Sequence, residues 1–268
     1  MFLILEDSTV VLGVKRMRVA THAIVLREVN YKESDKILTL LTSDLGKLTV
    51  SARGCRKSRK DGSSISAISQ LLVWSEVTLQ EFRGRWSLVE GSTQMEFRHV
   101  RSDLDKLSLG AYLAELVENL VQEELPAPEI LALLLNSLYA LDTLNRPAEL
   151  VKAAFELRLL SLAGYTPLLD SCVICGNEWP TEPRFHLREG VLHCKACRVS
   201  EGISMPIEGG ALNAMRHITE CDGKKLFSFR LGEAGTKQLN DVCEAFLLTQ
   251  LERGYKTLDF YKSLTIQP

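Results

Sequence analysis

Two cysteine pairs, Cys172-x-x-Cys175 and Cys194-x-x-Cys197, constrain this chain more than any other feature. Each x-x spacing suits a tight knuckle that turns both sulfurs toward one centre, and eighteen residues lie between the pairs. Two knuckles supply the four thiolates of a tetrahedral zinc site. Such a site is closed, with no position left for water or substrate, so the spacing predicts one structural Zn2+ held by Cys172, Cys175, Cys194 and Cys197. A ribbon built around the ion, residues 169–203, would draw folding free energy on the order of 10 kcal/mol from it. The competing use of four cysteines is two disulfides. The chain has seven cysteines, an odd number that suits a secreted disulfide framework poorly and points to a reducing cytoplasm. Cys243 lies on an apolar helical stripe and reads as a core thiol. His186 and His193 fall inside the ribbon, but four sulfurs already complete a tetrahedron. They read as surface or strand residues and not as ligands.

Net charge is −2 over 268 residues, which by itself suggests no polyanionic partner. The charge is unevenly placed. Residues 17–101 carry +5 and residues 102–268 carry −7. A basic module joined to an acidic, cysteine-bearing one points to nucleic acid at the basic end. Six cations, Lys47, Arg53, Arg56, Lys57, Arg59 and Lys60, fall in one stretch with no acid between them. A charge run of this kind is often only a solvated loop. This one leaves a strand with a polar outer face and enters a Gly/Ser-rich segment, so it suits a phosphate backbone. Arg83 and Arg85 are lesser candidates. Tyr31, Trp74, Phe82 and Trp86 are near enough in sequence to stack bases, although Trp74 or Trp86 should point inward.

The periodicity divides the chain. Thr21–Leu26, residues 36–42, Lys47–Arg53, residues 70–82 and residues 85–91 read as five short strands. Leu48, Val50 and Ala52 alternate with Lys47, Thr49, Ser51 and Arg53, and Arg83-Gly84 marks a hairpin. Five strands within residues 17–101 predict a small barrel such as an OB-fold. Residues 54–68 form a long connection. From Ser102 the period is helical. Helices are expected over 104–125, over 129–144 (apolar nearly all round and so buried), and from Pro147 to a stop at Gly164. After the ribbon come a helix over 209–221, a short strand over 225–231 and a helix over 234–253. The fold class is therefore α+β: a basic barrel at 17–101, a helical domain at 102–168 and 204–268, and the ribbon inserted in it. Residues 1–16 precede this plan; Ser8–Val14 within them is β-prone. No apolar run reaches the ~20 residues that span a bilayer, and no secretion signal opens the chain. There is no G-x-x-x-x-G-K-[ST] loop, no G-x-S-x-G elbow and no H-x-E partner for the cysteine pairs. An enzyme is not supported.

Three early stretches, Thr21–Leu26 (THAIVL), Tyr31–Thr42 (YKESDKILTLLT) and Gly46–Gly54 (GKLTVSARG), are followed much later by Phe155–Pro167 (FELRLLSLAGYTP) running into Cys172–Gly176 (CVICG). In this order they resemble RecO, a family of bacterial recombination mediators. The resemblance spans about Val19 to Leu264, and the family's pattern would begin near Met17, so the sixteen residues before it are extra. It implies an N-terminal OB-fold, a helical domain and an embedded zinc site. It also implies binding of single- and double-stranded DNA, annealing of complementary strands, pairing with RecR, and help in loading RecA onto DNA covered by single-strand-binding protein (SSB), whose acidic C-terminal tail is a further partner. No small-molecule substrate, membrane or bond chemistry is implied. The alternative is a docking hub whose barrel binds proteins and touches DNA only weakly. A nucleic-acid enzyme using the ribbon as a clamp is a third reading.

Overall fold

The computed structural model describes residues 17–56, 65–197, 199 and 201–265. They form two compact units that divide between Leu131 and Ala132.

The first unit is built on five strands: β1 (Met17–Tyr31), β2 (Asp35–Thr42), β3 (Gly46–Ala52), β4 (Trp74–Phe82) and β5 (Arg85–Met95). They close into a barrel in the order β1-β2-β3-β5-β4. Neighbours are antiparallel except β3 and β5, which pair in parallel at Val50–Trp86 and Ser51–Ser87. The period-two pattern predicted for β3 holds: Leu48, Val50 and Ala52 are buried, while Thr49 faces out. They meet Ala23, Val25, Leu38, Leu40, Val77, Leu79 and Leu88 in one core. Trp86 packs partly against that core, and Trp74 stacks on His22 with centroids 5.6 Å apart. Arg83 and Gly84 both take positive φ, as a two-residue hairpin turn between right-twisted strands requires.

Two strand boundaries differ from expectation. β1 runs well past both ends of Thr21–Leu26 because it is shared: its first half pairs with β4 and its second with β2. The predicted strand over 70–82 starts only at Trp74. Leu72 sits at φ 62° and its amide donates to Val25 O, which turns the chain into the barrel. Ahead of it, the connection over 54–68 ends in a short helix, α1 (Ile65–Ile68), which buries Ile68 in the barrel core.

Helices α2 (Arg98–Ser102) and α3 (Leu104–Leu120) follow. Asp103 caps α3 through the Lys106 amide. The far end of α3 is clamped onto β3. Lys47 Nζ donates to Glu118 O at 2.6 Å, Glu124 N donates to Lys47 O at 3.0 Å, and Arg27 pairs with Glu118 at 3.2 Å. Gly46 makes the close approach possible: it sits at φ +72°, and a Cβ there would lie 2.3 Å from Leu125 O. Gly46→Ala should therefore destabilise this unit on the order of 3 kcal/mol, since backbone cannot rotate away. A urea titration checks it; an unchanged midpoint would mean the clamp is loose.

α4 (Pro128–Asp142) buries one face, with Leu131, Leu134, Leu138 and Leu141 inside, but leaves Ala132 and Tyr139 exposed, so it is less enclosed than its nearly all-round apolar sequence predicts. In the second unit, α5 (Ala148–Leu162) is buried on nearly every side and packs against α6 (Gly209–Glu220) and α7 (Glu233–Leu251). Gly164, at φ +95°, ends α5 as expected. Between α5 and α6 lie β6 (Pro183–His186), β7 (Val191–Cys194) and β8 (Ser204–Pro206), a sheet in the order β7-β6-β8. The strand expected over 225–231 is absent. Gly223–Lys225 forms a 3-10 turn capped by Asp222, and Leu226 and Phe227 are buried side by side where a strand would alternate. A last helix, α8 (Lys256–Thr265), was not legible as a separate element.

Candidate nucleic-acid interface and metal centre

The basic cluster starts where β3 leaves the barrel. Its first residues are tied to the β1–β2 turn: Gly54 N donates to Asp35 Oδ1 at 2.8 Å and Arg56 N to Ser34 O at 3.0 Å. The Gly54 amide, then the Ser34 hydroxyl and the charges of Lys32 and Arg53, outweigh desolvation and hold the Asp35 carboxyl below its ordinary 3.8. Arg53 and Arg56 are exposed beside this anchor. Lys32 joins them, with its ammonium 5.3 Å from the exposed ring of Tyr31. Lys57, Arg59 and Lys60 continue the chain and lie outside the described residues.

A cleft of about 570 Å3 opens at the same place. Lys36, Arg56 and Arg101 line it together with Glu28, Gln70 and Cys55. Lys36 is paired with Glu28 at 2.7 Å, and Arg101 donates to Gln70. The sequence reading did not select Lys32, Lys36 or Arg101. The first two stand close to Tyr31 and could have been found there; Arg101 reaches the cleft only through the fold.

The other basic candidates are placed elsewhere. Lys47 is held by the α3 carbonyl already described, so its charge satisfies a helix C-terminus. Arg83 and Arg85 are exposed at the β4–β5 hairpin, where the Arg83 guanidinium lies 5.2 Å from the Phe82 ring centroid. In the parallel β3–β5 register Arg85 is level with Thr49. Arg53 is thus four residues further along, roughly 13 Å at 3.3 Å per residue.

The second constellation is the sulfur cluster. The four Sγ atoms of Cys172, Cys175, Cys194 and Cys197 all lie within 4.8 Å of one another, with Cys175 and Cys194 at 3.8 Å. A tetrahedron of 2.3 Å metal–sulfur bonds has edges of about 3.8 Å. A disulfide needs about 2.05 Å, and all seven cysteines are free thiols. The knuckles are built by backbone. Gly176 N donates to Cys172 O and Cys172 N to Asn177 O; Cys197 N donates to Cys194 O. Cys194 N also donates to Cys172 Sγ at 3.4 Å.

The titration behaviour suits a cation. Desolvation would raise the Cys172 thiol, but amides of Cys175, Cys194 and Ile174 prevail and hold it at about 6. Desolvation and the neighbouring sulfurs push Cys197 up to about 12 and also raise Cys194. The Cys172 thiolate forms readily and then opposes ionisation of Cys194 and Cys197, which is the arrangement a divalent ion resolves. His186 and His193 lie on strands but are buried, against the surface alternative. His193 Nδ1 is 2.9 Å from Cys194 O and 3.1 Å from Cys197 O, and its Nε2 meets Ser204 Oγ at 2.9 Å. It braces the second knuckle from behind. Cysteine spacing cannot reveal that support. Cys243 is fully buried, and burial pushes its thiol up, as a core thiol should behave.

A closed barrel with a cationic cleft, joined to a helical unit that carries a four-cysteine centre, defines the class of this chain. Residues 17–93 match the family model described as Recombination protein O N terminal, and residues 101–259 match that described as Recombination protein O C terminal. The DNA repair protein RecO of Acetivibrio thermocellus is 32% identical over 244 residues, covering 91% of this chain and 96% of that protein. The DNA repair protein RecO of Caldicellulosiruptor bescii is 31% identical over 244 residues, covering 91% and 98%. That of Bacillus pumilus is 34% identical over 202 residues, covering 75% and 76%. The chain belongs to the RecO family. Membership supports a role in DNA repair and recombination. Among the described residues, no helix is long and apolar enough to cross a membrane.

Proposed function

We propose that this chain is a non-enzymatic DNA-binding recombination mediator. Its barrel is an OB-fold, for which the five-stranded closure and the strand order are the support. The observation that carries the reading is the grouping of Lys32 and Arg53 about Asp35, beside Arg56, which lines a cleft together with Lys36 and Arg101. Lys57, Arg59 and Lys60 follow directly in the chain. Phosphates bind along this stretch, and exposed Tyr31 offers a ring for an unstacked base. Arg83 and Arg85 form a separate, lesser contact, and Lys47 acts through the fold. Single- and double-stranded DNA are the ligands. Annealing, pairing with RecR, contact with the SSB tail and loading of RecA in the cytoplasm complete the proposal. Cys172, Cys175, Cys194 and Cys197 hold one Zn2+, which four thiolates in a closed tetrahedron suit; it is structural.

Binding of a labelled single strand across a salt series tests the interface. Six phosphate contacts give a log–log slope of about −4, and replacing Arg56, Lys57, Arg59 and Lys60 by Ala should flatten it to about −1. An unchanged slope removes this stretch from the interface. A second reading, the protein-docking hub, is favoured by exposed Val29, Tyr31 and Phe82 on the barrel. Stoichiometric capture of a protein partner without measurable DNA affinity at low salt would decide for it.

A further inference from the structure

Trp179 has no place in the reading above. Its side chain is 74% exposed, the most open of the large apolar residues among those described. A tryptophan presents some 150–250 Å2 of mostly apolar surface, so leaving it in water is costly. Its backbone is nonetheless fixed, because its amide donates to Asn177 Oδ1 at 3.0 Å in the turn after the first knuckle. The neighbouring wall is fixed as well. Arg216 on α6 donates from Nε and Nη2 to Leu169 O at 2.9 and 2.8 Å, and from Nη2 to Asp170 O at 3.1 Å. Its guanidinium stands 5.9 Å from the Trp179 ring centroid. The result is an open cleft of about 360 Å3 between the first knuckle and α6, lined by Asp170, Ser171, Gly176, Glu178, Trp179 and Arg216.

The chemistry of the lining selects the occupant. Asp170 and Glu178 are exposed, and among the described residues neither has an ion-pair partner. Arg216 turns its donors toward two carbonyl oxygens but keeps its charge, so with Asp170 and Glu178 the lining sums to −1 and stays net acidic. The Arg216 guanidinium lies over one side of the ring, and the 74% exposure leaves the remainder of the ring open to a further cation. An aromatic face flanked by carboxylates recognises a Lys or Arg side chain by cation–π contact and ion pairing together. The same carboxylates repel a phosphate chain. The net charge of −7 over residues 102–268 extends the attraction beyond the cleft. We propose that this cleft docks a basic segment of a partner protein, seating one Lys or Arg side chain against Trp179 between Asp170 and Glu178. The interaction belongs to the knuckle and is independent of the DNA interface on the barrel.

The test uses the full-length, metal-loaded chain and a fluorescein-labelled blocked hexapeptide of alternating Arg and Gly, read by anisotropy. Wild type should bind saturably and more weakly as salt rises. Trp179→Ala should weaken binding about tenfold, with Trp179→Phe retaining part of the affinity. Asp170→Asn with Glu178→Gln should weaken it to a similar degree while Trp179 is intact. Metal content equal to wild type shows that each variant is folded at the knuckle. Should the peptide bind the Trp179→Ala and the Asp170/Glu178 variants as tightly as wild type, the attraction is diffuse charge and the proposal fails. It fails equally if the peptide does not bind wild type, or if a six-residue oligothymidylate binds wild type in its place and loses affinity with Trp179→Ala.

Discussion

With the proposed zinc on its four cysteines, Cys172→Ser should lose the ion and unfold the ribbon around residues 165–205. Cys172 is the sulfur the module leans on most. It is buried, it accepts the Cys194 amide, and its thiol is the one held near neutrality. A hydroxyl in its place is a poor ligand and leaves three sulfurs, one short of the tetrahedron. The ion contributes folding free energy on the order of 10 kcal/mol in small sites of this kind, far more than the few hydrogen bonds of three short strands. Native mass spectrometry should find one zinc per wild-type chain and none in the variant. Hydrogen exchange should accelerate across β6, β7 and β8, with β1–β5 as the internal reference. Cys221→Ser, which touches no sulfur of the cluster, should keep the ion. A wild-type chain that is metal-free yet protected at β7 would refute the assignment.

Lys152→Met should destabilise the helical unit by about 3–5 kcal/mol. Lys152 lies in the second turn of α5 with a side chain only 1% exposed. It is held by Glu156 at 2.9 Å and Glu244 at 2.8 Å, and by Asn240 at 3.1 Å. Burial works against its charge, but the two carboxylates prevail and keep it protonated. Removing the ammonium takes its cation from Glu156, which is 0% exposed, and leaves it beside a carboxylate from α7. Changing Glu156 to Gln in the same chain should restore part of the loss, and the double-mutant cycle measures the coupling. The pH dependence has a fixed sign. Desolvation would raise Glu244, but Lys152 and Lys262 hold it below its ordinary 4.5. The unfolded chain therefore takes up that proton first as acid is added. Stability from Glu244 is complete above pH 4.5 and is lost as pH falls below it. A urea midpoint that is flat from pH 6 to pH 3 would contradict this.

Much of the architecture can be read from short-range pattern. β3 alternates because one face of it is buried, and period two is a local property of a strand. The Arg83-Gly84 turn, the stop at Gly164 and the start at Pro128 rest on single-residue backbone preferences. The cysteine cluster is legible for a similar reason, since each knuckle is closed within a few residues. The misreadings fall where pairing partners decide. Nothing local extends β1 to Tyr31; it grows because β2 and β4 both offer edges. Residues 225–231 alternate well enough for a strand, yet no neighbouring edge receives them. α8 is short, and its sequence carries no strong boundary of its own.

The candidate interface divides along the same line. Charge composition placed cations at Arg53, Arg56, Lys57, Arg59 and Lys60, and the four cysteines of the candidate metal centre followed from spacing alone. Sequence could not tell that Lys47 is tied to the end of α3, because Glu118 stands 71 residues away. It could not bring Arg101 to Arg56, separate Arg85 from Arg53, or set His193 behind the second knuckle. Residue type and local spacing determine which chemistry is possible, since propensity and ligand preference act over a few bonds. Which of those groups remain free to act depends on contacts between distant parts of the chain, and those exist only once the barrel has closed and the helices have packed.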